Sequence, residues 1–187
     1  SVTTNAATLT VNANPGISLS VAPFTSIYPG LLTNLSATAN PSSSGNTYAW
    51  TYNGAPLNGQ SGASVIVDID GLGDYSVVVT DQNGCSSAAS NIITITDSMN
   101  TSLFVYPNPN NGHFQIRYNN KDKGVANPRF VNIYDSKGAR VYRKAFTPTF
   151  PFGRMDVDLS NASKGVYYID LTDAGEVRLK TARVVVF

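Results

Sequence analysis

The first hundred residues contain no lysine, arginine or histidine, and their only charged side chains are five aspartates, at 68, 70, 74, 81 and 97. All 13 lysines and arginines lie beyond position 100 together with the other seven acidic residues, so a segment of net charge −5 precedes one of +6. Such a step in charge is the mark of two domains with a boundary near Asp97 to Ser102. The other scarcities exclude whole classes of function. A single cysteine, Cys85, forms no intrachain disulfide and so says little about redox compartment. One histidine, His113, has no serine or cysteine nucleophile context and no Cys/His cluster around it, which argues against nucleophilic catalysis and against a metal site. There is no glycine-rich phosphate loop and no basic strip interleaved with aromatics, so neither a nucleotide cofactor nor a nucleic acid is expected. No apolar run approaches the roughly 20 residues of a membrane-spanning helix, and no signal peptide begins the sequence.

What is present is turn-rich and β-prone: 42% hydrophobic residues with 10 Tyr, 8 Phe, 15 Gly and 10 Pro. The reading is an all-β chain of two consecutive β-sandwich domains. In residues 12–97 short alternating runs recur between turn signals, at Ile17 to Val21, Leu35 to Ala39, Tyr48 to Tyr52, Val65 to Ile69, Tyr75 to Thr80 and Ile92 to Thr96. Trp50 takes the place of a buried strand-C tryptophan, Tyr75 suits a tyrosine corner, and Val77 stands where an antibody domain has its second cysteine. That makes the first domain immunoglobulin-like, with Leu35 or Ala37 facing Val77 and Asn83-Gly84 turning the chain. Thr4 to Val11 reads like Ser90 to Thr96, so residues 1–11 are expected to close a preceding repeat of a larger protein. Asp68, Asp70 and Asp74, with Gly71 and Gly73, superficially suggest a calcium loop, but the spacing fails the EF-hand template and lacks its closing glutamate. Solvated turn carboxylates are expected there. Phe24, Tyr28 and Tyr52 would suit sugar stacking and packing equally.

A linker at 98–102 leads into a second domain, 103–187, expected to be a seven-stranded sandwich. Its strands are Leu103 to Tyr106, His113 to Tyr118, Arg129 to Tyr134, Arg140 to Phe146, Met155 to Leu159, Val166 to Thr172 and Val177 to Phe187. The dispersed basic residues read as a solvated surface. Asp156 and Asp158 alternate on one strand face, exposed rather than desolvated as a general acid requires. No enzymatic role is expected. Between the first two strands, Pro107 and Pro109 fix their own φ, and Asn111-Gly112 tolerates positive φ, so an extended approach ends in a tight reversal.

Three stretches of this domain occur together: Pro107, Asn108, Pro109 and Gly112 in Tyr-Pro-Asn-Pro-Asn-Asn-Gly; Gly165 and Tyr167 ahead of an apolar run; and a Lys-bearing terminal strand. In that order they resemble the type A C-terminal sorting domain of the type IX (Por) secretion system of Bacteroidetes. The pattern over residues 75–85 resembles the Ig-like or PKD-like repeats of Bacteroidetes surface proteins. The resemblance implies a folded secretion signal for a larger protein exported through the periplasm and outer membrane to the cell surface or beyond, with the Ig-like domain as a spacer. It implies recognition of Lys180, Thr181, Ala182, Arg183, Val184, Val185, Val186 and Phe187 by an outer-membrane shuttle or translocon barrel. It also implies cleavage by a sortase-like cell-surface peptidase in the polar stretch Asp97, Ser98, Met99, Asn100, Thr101 and Ser102. The alternative is a stalk or carbohydrate-binding module of an adhesin or polysaccharide-degrading enzyme, which has no need of the three motifs.

Overall fold

A computed structural model describes residues 11–119 and 126–187. The strand expected over 1–11 lies, up to residue 10, outside them. The chain falls into two compact units, one comprising the residues up to Ile27 with Leu31–Thr96, the other Tyr28–Gly30 with Asp97–Phe187.

The first unit contains β1 (Gly16–Ala22), β2 (Ser26–Ile27), β3 (Thr33–Asn40), β4 (Thr47–Tyr52), β5 (Ala55–Pro56), β6 (Ser64–Val67), β7 (Gly73–Thr80) and β8 (Ile93–Asp97). They form a sheet of order β1-β3-β6 and a second of order β2-β8-β7-β4-β5, the layout of an immunoglobulin-like sandwich. Alternation explains the core. On β3, Leu35, Ala37 and Ala39 point inward, and on β7 Tyr75, Val77 and Val79 do so, while residues between them are wetter. Trp50 is 2% exposed, and its indole N–H donates to the Gly62 carbonyl. The tyrosine corner forms at Tyr75, whose hydroxyl donates to the Gly71 carbonyl at 2.8 Å. Burial, with Tyr52 and Asp68 nearby, pushes that phenol up to about 12. Three elements differ from the sequence reading. Ile69 leaves the expected strand for a 3-10 turn, Ile69–Gly71, because the Asp68 carboxylate caps it by accepting from the Asp70 N–H. β2 and β5 are two residues long, too short for any periodicity to show.

The second unit contains β9 (Phe104–Tyr106), β10 (His113–Arg117), β11 (Arg129–Tyr134), β12 (Arg140–Phe146), β13 (Met155–Asp158), β14 (Gly165–Thr172) and β15 (Arg178–Val186). The seven strands make two antiparallel sheets, β13-β10-β9 and β12-β11-β14-β15. Between them lies a core that includes Phe114, Ile116, Val131, Ile133, Met155, Val157, Ile169, Leu171, Val184 and Val186. Each strand contributes alternate residues, as a two-layer sandwich demands. One basic residue escapes the solvated-surface reading. Arg117 is 3% exposed, with Nε donating to Gln115 Oε1, Nη1 to the carbonyl of buried Phe152, and its guanidinium 5.9 Å from the Tyr106 ring.

Candidate functional site

β15 is an edge strand. Its inner side pairs with β14 from Thr172↔Arg178 to Gly165↔Val186. Beyond it stands the loop of Pro107, Asn108, Pro109 and Asn110, in which both X–Pro bonds are cis. The Asn108 amide stands in for a neighbouring strand: Nδ2 donates to the Arg183 carbonyl at 2.9 Å and Oδ1 accepts from the Val185 N–H at 3.0 Å. Asn110 continues the clamp with its backbone, donating to the Val185 carbonyl and accepting from the Phe187 N–H, as a short parallel bridge. An edge strand's unpaired N–H and C=O groups are thus occupied from Arg183 to Phe187. Towards Thr181 the outer edge has no paired strand among the described residues.

Asn110 is the residue that sequence reasoning missed. It is 3% exposed, and its side chain holds the loop from within, Nδ2 donating to the Pro107 carbonyl and Oδ1 accepting from the Gly112 N–H at 2.7 Å. The available signal was an asparagine two residues before a glycine, the spacing of an Asx turn. Gly112 has φ +100°, and a Cβ there would stand 2.6 Å from Ser160 Cα and 2.7 Å from Ser160 N. Backbone on backbone leaves no room for any side chain, and the contact is sealed where the Leu159 N–H donates to the Gly112 carbonyl. Gly165 is under weaker constraint: its φ of +159° borders on extended backbone, and nothing lies within 4 Å of where a Cβ would point. Tyr167 repeats the corner of the first unit, with a buried ring and a hydroxyl donating to the Ser163 carbonyl.

The terminal residues divide by period two. Val184 and Val186 are buried in the core, and Lys180 and Ala182 share their parity but are only half-buried. Thr181 and Arg183 are exposed, Val185 is half-buried, and Phe187 is 65% exposed. Asp97 ends β8, and no regular element spans 98–103. There Asn100 Oδ1 accepts from the Ser102 N–H, Thr101 and Ser102 are exposed, and Met99 is 76% exposed.

The remaining polar candidates are tied into local structure. Asp74 accepts from the Thr94 hydroxyl at 2.6 Å. Asp156 pairs with Arg154, and His113 Nδ1 lies 3.5 Å from Asp158 Oδ1, all four exposed. Hydrogen bonds from the Ser160 hydroxyl and N–H, with His113 nearby, hold the Asp158 carboxyl below its ordinary value. That is the wrong direction for a general acid. Among the described residues, no group of three or more metal-binding side chains comes together, and no helix is long and apolar enough to cross a membrane.

The chain as a whole is similar to three N-terminal domains of the bacteriophage RB49 outer capsid protein Hoc, at 14% identity and TM-score 0.40, covering 92% of this chain and 59% of that one. It is similar to the human OSCAR ligand-binding domain, at 17% identity and TM-score 0.35, covering 91% and 97%. A third similarity is to dimeric latent PorU from Porphyromonas gingivalis, at 16% identity and TM-score 0.40, covering 93% of this chain but only 20% of that one. No curated protein matches the sequence. Residues 104–186 match the family of the secretion system C-terminal sorting domain. This span begins with β9 and ends with β15, and it takes in the loop, the Gly112 contact, the tyrosine corner and the clamped strand. Residues 104–186 of the second unit are therefore a secretion system C-terminal sorting domain, a signal for type IX export to the cell surface or extracellular space.

Proposed function

We propose that the outward side of Lys180 to Phe187 is the surface by which this domain is handed to an outer-membrane shuttle or translocon barrel. In the same reading Asp97 to Ser102 is cut by a sortase-like cell-surface peptidase, and the Ig-like domain, 12–97, is a spacer between the signal at 103–187 and a passenger. The chain acts as an address and performs no catalysis of its own. The observation that carries this reading is the clamp on β15. A strand whose outer edge is held by one asparagine side chain and one loop residue is released by breaking four hydrogen bonds, each with a net worth of about 1 kcal/mol. A receptor that adds a strand at an edge competes for those same backbone groups. The irregular stretch before β9, half-buried at Asp97, Ser98 and Asn100 but exposed at Met99, Thr101 and Ser102, supports the cleavage assignment, since a protease binds its substrate as extended chain.

The test is a fluorescent reporter fused ahead of the whole chain in a type IX-competent host, compared with a Thr181→Glu, Arg183→Glu variant of the exposed face. Export is expected to fail while the melting temperature is kept. Export at the intact rate would overturn the assignment of this face. Mass spectrometry of the exported protein is expected to place its C-terminus within 97–102. A surface product retaining Tyr167 would count against that cleavage.

A further inference from the structure

The solvent face of the sheet β12-β11-β14-β15 carries one cross-strand row in which Arg140, Tyr134, Tyr168 and Arg183 are register partners in turn. Both arginines are exposed and Tyr168 is 51% exposed. The neighbouring rows are cancelled electrostatically: Arg143 pairs with Glu176, and Arg178 pairs with Asp170 at 2.6 Å. Neither Arg140 nor Arg183 has a carboxylate partner among the described residues. The two uncompensated cations of this face thus stand at the ends of a tyrosine pair. Beside Tyr134 and Arg140 the sheet dips into a concavity of about 230 Å³ bordered by Asn132, Asp170 and Glu176.

We propose that this row binds a short anionic glycan, a sugar chain bearing carboxylate or phosphate groups. Tyr134 and Tyr168 rise from adjacent strands, whose backbones lie about 4.8 Å apart, the scale of one pyranose unit, and offer flat apolar faces with a polar tip. The arginines are three strand spacings apart, about 14 Å. Each guanidinium can take an oxyanion bidentately. Asp170 and Glu176 decide between ligand classes. Their carboxylates, each paired with an arginine, keep lone pairs that accept hydrogen bonds from sugar hydroxyls, donors that the acidic side chains of poly-glutamate lack. The proposal does not depend on export, and its readout is binding alone.

The full chain is titrated by calorimetry with oligogalacturonate, a phosphorylated oligosaccharide, neutral dextran and poly-glutamate. Binding to at least one of the two anionic glycans is expected, with dextran and poly-glutamate weaker by about tenfold or more. Arg140→Gln and Tyr168→Ala are each expected to weaken glycan binding by about tenfold, whereas Lys164→Ala, outside the row, leaves it unchanged. The melting temperature of each variant verifies its fold, and Arg140 is an exposed side chain whose loss does not touch the core. No binding to either anionic glycan, equal binding of poly-glutamate, or unchanged affinity in Arg140→Gln would each overturn the proposal.

Discussion

Each sandwich caps an edge strand with a single asparagine amide, but the capped strands lie at opposite ends of their units. In the first unit it is the first strand: Asn91 donates to the Leu19 carbonyl and accepts from the Leu19 N–H, at 3.1 and 3.0 Å. The last strand there, β8, sits inside its sheet with β2 on one side and β7 on the other. In the second unit the capped strand is the last one, β15, and the cap comes from the loop before β10. The end of the first sandwich is therefore fastened on both sides by strands, and the end of the second by a strand on one side and a loop on the other. On the proposed reading this arrangement holds Arg183 to Phe187 in a defined conformation by contacts that a partner can replace.

The largest expected effect breaks the comparison at its core side. Deleting Val184 to Phe187 removes two buried valines along with the clamp, and burial of each valine is worth about 1.5–3 kcal/mol. The second unit should lose at least about 4 kcal/mol by this reckoning. The sole tryptophan, Trp50, belongs to the first unit, so its fluorescence should keep an unchanged unfolding transition while far-ultraviolet circular dichroism shows an earlier one. This truncation cannot separate recognition from stability, which is why the export test above changes exposed side chains instead. A deletion variant with an intact second transition would mean that β15 contributes nothing to the core.

Next in size is Gly112→Ala. The added methyl meets the Ser160 backbone at 2.6 Å and must also adopt φ +100°, a combination expected to cost about 2–4 kcal/mol. Gly165→Ala, with open space around it, should cost less than about half of that. Thermal unfolding of the two variants side by side decides whether the motif glycines do the same job. Equal losses would refute the steric distinction.

The caps themselves come third. Asn91→Ala exposes two partly buried backbone groups and is expected to cost about 2 kcal/mol, whereas Asn108→Ala, where water can replace the amide, should cost about 1 kcal/mol. Amide exchange at Val185 should speed up in Asn108→Ala and stay unchanged in Asn91→Ala. Were Asn108→Ala the more damaging of the two, the terminal strand would be locked rather than poised for release.

Much of this was legible in the sequence, and the illegible part has a physical pattern. Period-two alternation located all seven strands of the second unit. Trp50, Tyr75 and Val77 announced the immunoglobulin-like core. What alternation cannot carry is contact between distant backbones. Asn108 meets Arg183 across 75 residues and Asn91 meets Leu19 across 72, and an asparagine in a turn looks the same whether it holds its own loop or a remote strand. Arg117 misled for a related reason. Its strand position reads as an exposed charge, and segments distant in sequence, which bring the Phe152 carbonyl and the Tyr106 ring, help turn that site into a buried one.

The smallest expected effect concerns acid. Asp158 holds the turn against which Gly112 packs, because its Oδ1 accepts from the Ser160 N–H at 2.8 Å. Its carboxyl is lowered from the ordinary 3.8, first by hydrogen bonds to Ser160 and then by His113. A group with a depressed native pKa binds protons less readily folded than unfolded. It therefore contributes stability in full above 3.8 and loses it as the pH falls below that value through the lower native one. The carboxyl is fully solvated, so the contribution is small and best read locally. On acidification below 3.8, the amide resonances of Gly112, Leu159 and Ser160 should shift together, reporting a loosened seat for the loop that clamps β15. Asp158→Asn should remove that pH dependence while leaving Trp50 fluorescence as it was. A variant that titrates like the parent would show that the loop is seated independently of Asp158, and that the clamp on the last strand owes nothing to this turn.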